Sequence, residues 1–138
     1  GGSTRHNFFK EFKAPFVFPD VVTLDRHVKT VYGLLSVTAR RKDSLVRVCG
    51  ESLMVTQSDM DGSNFGVDEH RRTVLMDFSE IGLLPEIFIA YMLFSDSKHG
   101  PIAASFGLSG NSNLASMAAI AHCLGMVADP KLGTSTCA

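Results

Sequence analysis

The side chains best suited to nucleophilic or metal chemistry are five histidines (His6, His27, His70, His99, His122) and three cysteines (Cys49, Cys123, Cys137). None stands at ligand spacing. No C-x-x-C pair offers a zinc corner. His122 and Cys123 sit side by side on an expected helix, where neighbours diverge by roughly 100° and do not readily share a metal. The acidic stretch Asp59-Met60-Asp61-Gly62-Ser63-Asn64 starts like a calcium loop. Its sixth position is Asn64 instead of Gly, and its twelfth is His70 instead of Glu. Gly107-Leu108-Ser109-Gly110 lacks both the Lys-Ser/Thr of a phosphate loop and the spacing of a serine nucleophile elbow. No two carboxylates are spaced for acid–base work. These residues predict a non-catalytic chain with no metal and no cofactor.

The aromatics carry a different kind of chemistry. Ten Phe and two Tyr cluster at residues 8–18 and along Phe88, Tyr91 and Phe94, and there is no Trp. Core packing accounts for most of them. Phe94 is the exception: it ends an apolar helix at Ser95-Asp96-Ser97-Lys98, where a ring can project towards solvent and serve as a stacking platform for a base.

The elements that must position that ring follow from the pattern. The chain has 138 residues, 45% hydrophobic and 20% charged, with formal net charge −1. That suits one globular domain and excludes disorder. Lys plus Arg (13) do not outnumber Asp plus Glu (14), which excludes a broad electropositive groove for nucleic acid. The longest apolar run, residues 87–94, is far too short to span a bilayer. Three unpaired-looking thiols suit an intracellular setting. Gly1-Gly2-Ser3 reads as a cloning remnant, so residues 4–138 are expected to be a single domain excised from a longer protein.

The first half reads as strands. Residues 8–18 suit an edge strand or ribbon, broken by Pro15. Residues 21–24 and 30–40 are β-branched and partly alternating. Residues 41–43 make a turn, and 45–56 continue as a strand bent at Gly50. Residues 57–70 form a loop, and 72–79 alternate Val74, Met76 and Phe78 inward. The second half turns helical: Pro85 starts a helix over 86–95, residues 106–113 make a loop, and a last helix runs over 114–128 to Pro130. The expected class is α+β, an antiparallel β-sheet packed on a small helical bundle, with a β-ribbon or hairpin.

The order of these features resembles a known family. A Phe-x-Phe segment, a strand ending at Val48-Cys49-Gly50, the apolar helix ending in Phe94-Ser95 and a helix carrying His122 are similar to the cap-binding domain of polymerase basic protein 2 from orthomyxoviruses. The likeness spans residues 16–128 and points to a divergent, thogotovirus-like genus more than to influenza. It implies a cap-snatching role in viral transcription, with other viral polymerase subunits as partners, location in the host nucleus and the virion, and no membrane. The ligand implied is the 7-methylguanosine 5′ cap of host mRNA. Its cationic base sits between two rings, and an acid reads the guanine edge. Phe94 matches one ring.

The opposing ring and the acid fall at Arg40 and Ser44, with Asp43 adjacent, so those positions are degenerate. Asn111 and Asn113, in the loop feeding the last helix, and His122 are the candidates for contacting phosphate. One missing stack costs roughly 1–3 kcal/mol, and one missing edge contact roughly as much again. The isolated chain is therefore expected to bind caps weakly or not at all. The alternative is a structural, protein-interaction domain of the polymerase that keeps the fold without the ligand.

Overall fold

A computed structural model of the chain describes residues 4–35, 46–78, 81–108 and 113–132. Its first regular element is a helix, α1 (Val21–Leu34), where the sequence suggests strands at 21–24 and 30–40. Two local features outweigh the β-branched composition. The Asp20 carboxylate accepts from the Thr23 N–H at 2.7 Å and from the Thr23 hydroxyl at 2.8 Å, which caps the first turn. Leu24, Val28 and Val31, spaced as one helical face, are all buried. Helix propensity is a weak prior, and burial of this face overrides it. Residues 36–45, the remainder of the expected strand and its turn, lie outside the described residues.

The Phe-rich N-terminus forms no strand either. A single bridge joins Arg5 to Lys13, closed by a tight turn at Lys10–Phe12 in which Glu11 and Phe12 take left-handed φ of 55° and 65°. For non-glycine residues that conformation costs about 1–2 kcal/mol each. Burial of His6, Phe8 and Phe9 just before the turn offsets the strain.

The strands form an antiparallel ribbon in two parts. β1 (Leu53–Gln57) pairs with β4 (Ile81–Pro85), with Val55 opposite Leu83. β2 (Phe65–Val67) pairs with β3 (Thr73–Leu75), with Gly66 opposite Val74. The expected strand over 45–56 thus starts only at Leu53, because Gly50, at φ 90°, turns the chain just before it. The expected loop over 57–70 contains β2, and β4 stands where the sequence pattern suggests no element. β3 ends at Leu75, and Val74, Met76 and Phe78, expected inward, are 40%, 60% and 68% exposed. Thr73 and Asp77 on the other side are exposed as well and only Leu75 is half-buried, so among the described residues the alternation sets no covered face against a bare one.

Two of the three helices of the second half stand where the sequence suggests them, and the short one between them has no counterpart in the sequence pattern. α2 (Glu86–Phe94) starts after Pro85, and the Ile87 N–H in its first turn donates to Glu51 Oε2 at 2.8 Å. A short α3 (Gly100–Ser105) follows, then α4 (Leu114–Met126). Ile87, Phe88 and Leu93 from α2 meet Val28 and Val31 from α1 and Met117, Ile120 and Leu124 from α4 in one buried cluster. The fold is a small α+β arrangement. No helix among the described residues is long and apolar enough to cross a membrane.

Two polar residues fasten the segment entering the ribbon to this core. Asp25, buried on α1, accepts from the Val48 N–H at 2.8 Å and the Cys49 N–H at 3.3 Å, and it pairs with Lys29. Burial raises its pKa, but the Lys29 bond and the two backbone donors outweigh that and hold it below the usual carboxylate value. Asn113 accepts from the Arg47 N–H at 3.3 Å and donates to the Arg47 carbonyl at 3.1 Å and to Glu51 Oε1 at 3.3 Å. Asp25→Ala, which orphans two backbone donors, is expected to cost about 2–3 kcal/mol in urea unfolding. A loss under about 0.5 kcal/mol would show that water replaces the carboxylate there.

Candidate functional site

Phe94 ends α2 because Ser95 stops the helix. The Ser95 hydroxyl bonds the Tyr91 carbonyl at 2.8 Å and the Met92 carbonyl at 2.9 Å, and Asn7 Nδ2 donates to it at 2.9 Å. The ring of Phe94 is half-buried and leans on the core. It is less of a free platform than the sequence suggests. Among the described residues no second ring stacks on it: the aromatic contacts gather instead around Phe8, Phe88 and Tyr91, and around Phe16, Phe18 and His27. Tyr32 packs on the core from α1 and Phe65 lies on β2.

Beyond Phe94 the chain opens a groove of about 610 Å³. It is lined by Asn7, Asp59, Met60, Asp61, Met92 and Ser95, and on its far wall by Asp96, Lys98 and His99. Phe94 is not among these residues, since Met92, Ser95 and Asp96 occupy the face of the helix end that meets the groove. The ring and the nearby acids therefore point to different spaces. The acids are also engaged locally. Asp59 Oδ1 accepts from the Asp61 N–H at 3.1 Å, Asp61 Oδ1 from the Ser63 N–H at 2.8 Å and Asp96 Oδ1 from the Lys98 N–H at 2.9 Å. Bonds from Ser63 pull Asp61 below its ordinary pKa. This is turn chemistry. Among the described residues no cluster of three His, Cys, Asp or Glu side chains is arranged to hold a metal.

The other sequence candidates scatter. Arg40, Asp43, Ser44 and Asn111 lie outside the described residues. Asn113 is buried and bonds Arg47 and Glu51. His122 is exposed on α4, in a separate groove of about 650 Å³ shared with Lys10, Glu11, Tyr91 and Ala121. Phe94, Asn113 and His122 thus form no common site.

Two features escaped the sequence. His6 and His27 are both buried, each with an Nε2 that meets no hydrogen-bond partner. Only the aromatic company of each, Phe8 and Phe9 beside His6 and the Phe16/Phe18 pair ahead of His27, could have hinted at this. The second feature is the exposure of apolar side chains along the ribbon. Leu53 is 49% exposed, Val55 71% and Leu83 64%, on one face of β1 and β4; Val67 reaches 72% on the second part. Leu53 and Leu83 also wall an apolar cleft of about 200 Å³ against Phe9, Phe18 and Leu24. Comparison with protein-family models, with curated proteins and with solved structures finds no match to this chain.

Proposed function

We propose that this chain is a non-catalytic protein-interaction module that docks through its β-ribbon. The single observation supporting this reading is the concentration of exposed large apolar side chains on that ribbon: Leu53, Met54, Val55 and Leu83 on one part, and Val67, Val74, Met76 and Phe78 on or beside the other. A two-stranded ribbon is marginal in water by itself; Leu53, Val55 and Leu83 share one face of β1 and β4, and grouped exposed apolar side chains of this kind characterise interaction sites. The partner would be a protein presenting an apolar strand. The resemblance to the orthomyxovirus domain suggests other subunits of a viral polymerase.

The apolar dye ANS tests this directly in dilute solution. The folded chain is expected to bind the dye at neutral pH. Val55→Lys combined with Leu83→Lys should remove most of the signal while leaving helical circular dichroism intact. A folded wild-type chain that binds no dye contradicts the reading.

One observation favours a second reading, recognition of a 7-methylguanosine cap. Phe94 keeps part of its ring accessible at the last turn of α2, one residue before the acid-bearing groove. Under that reading Phe94 stacks on the cationic base, and the opposing ring and the acid must come from elsewhere in the polymerase.

A further inference from the structure

The hydrogen-bonding phase of the ribbon identifies which of its edges is open. The Glu86 N–H donates to the Ser52 carbonyl at 3.0 Å, and the register pairs Met54 with Leu84 and Thr56 with Gly82. In an antiparallel pair the hydrogen-bonded couples alternate with the non-bonded ones. Leu53, Val55 and Gln57 therefore direct their N–H and C=O groups away from β4. Among the described residues nothing bonds those of Leu53 or Val55.

The opposite edge, on β4, is blunted. Pro85 has no N–H, and the Ile81 N–H is taken by the Phe78 carbonyl at 3.3 Å. β1 carries none of the devices that protect an edge: no Lys, no Pro, no charge within Leu53–Gln57.

We propose that a second copy of this chain adds its own β1 antiparallel to this edge, across a two-fold axis at Val55. This deepens, and rests on, the interaction reading above. The phase fits: Val55 faces Val55 of the second copy, and Leu53 faces Gln57, each through outward N–H and C=O groups. Because Val55 already lies opposite Leu83, the axis produces an unbroken apolar row of Leu83, Val55, Val55 and Leu83 across four strands. Each side chain covers the flank of its neighbour.

Charge permits the pairing. β1 is neutral along its whole length, and the chain's formal net charge is only −1. The nearest carboxylates beyond the strand ends are turned into their own copy: Glu51 onto the Ile87 N–H and Asp59 onto the Asp61 N–H.

Sedimentation equilibrium of the purified chain tests this. Wild type is expected to show a concentration-dependent dimer. Val55→Lys, at a 71% exposed position that tolerates a charge, should weaken it about 10- to 30-fold by setting like charges face to face. Val55→Glu alone should do the same, and an equimolar mixture of the two variants should recover the dimer, since Lys then meets Glu at the axis. A wild-type chain that stays monomeric at millimolar concentration overturns the proposal. So does a Val55→Lys chain that dimerises as well as wild type. Dye binding by dilute monomer is unaffected by either result, so failure of the two-fold is distinguishable from failure of the interaction reading.

Discussion

Phe88→Ala is expected to cost about 3–5 kcal/mol, enough to unfold a domain of ordinary stability at moderate urea. Phe88 is fully buried in the middle of α2. His6 meets it edge-on at 5.4 Å and Phe8 edge-on at 5.1 Å, and Phe9 stacks at 6.1 Å. The ring is thus the point where the N-terminal bridge is attached to the helical core. Truncation removes the transfer energy of the ring and leaves a cavity that three other rings must close. Phe106→Ala, at a 72% exposed position, is the control and should change stability by less than about 0.5 kcal/mol. A comparable loss from both substitutions in urea melts would show that α2 does not hold the core together as described.

Acidification is the second large effect, and its pH window identifies the group responsible. His6 is fully buried, and its Nδ1 accepts from the Phe8 N–H at 3.1 Å. Protonation would set an N–H against that donor and place a charge among Phe8, Phe88 and Tyr91. Burial lowers its pKa from 6.5 to about 4, outweighing the opposite effect of the Phe88 backbone. The unfolded chain then binds a proton more readily than the folded one between those two values. Stability contributed by the neutral ring is therefore intact above pH 6.5 and is lost as pH falls towards 4. The loss amounts to about 3 kcal/mol once both states are protonated.

Burial shifts His27 in the same direction. The carboxylates Asp20, Asp25, Asp61 and Asp68, all lowered from 3.8, contribute their own losses only as pH falls below that value. His6→Asn retains an acceptor for the Phe8 N–H without a titrating group. It should flatten the stability profile between pH 6.5 and 4 while lowering stability at neutral pH. An unchanged slope would assign the acid sensitivity to other groups.

Part of this architecture could be read from the sequence. α2 and α4 were legible because long stretches without a breaker follow Pro85 and precede Pro130. α1 was not, since Val21, Val22, Val28 and Val31 look like strand residues until the Asp20 cap and the 24, 28, 31 spacing are weighed together. The ribbon was legible as alternation at Val74, Met76 and Phe78, but alternation does not say which face is covered. Along residues 73–78 both sides are largely exposed, with only Leu75 half-buried. At the candidate site, the place of Phe94 at a helix end was legible. Its lean onto the core was not, nor the divergence of the ring from the groove beside it, because both depend on how the Asp59–Asp61 loop and the N-terminal bridge meet the end of α2. Burial of His6 and His27 likewise depends on packing between segments distant in sequence.

The most direct test of whether this is an interaction module or a cap receptor is a titration of the folded chain with 7-methyl-GTP and with GTP, with Phe94→Ala alongside. The account predicts no saturation by either nucleotide up to millimolar concentration and no difference between wild type and Phe94→Ala. Micromolar, methyl-selective binding that disappears in Phe94→Ala would contradict it and make Phe94 the floor of a working cap site.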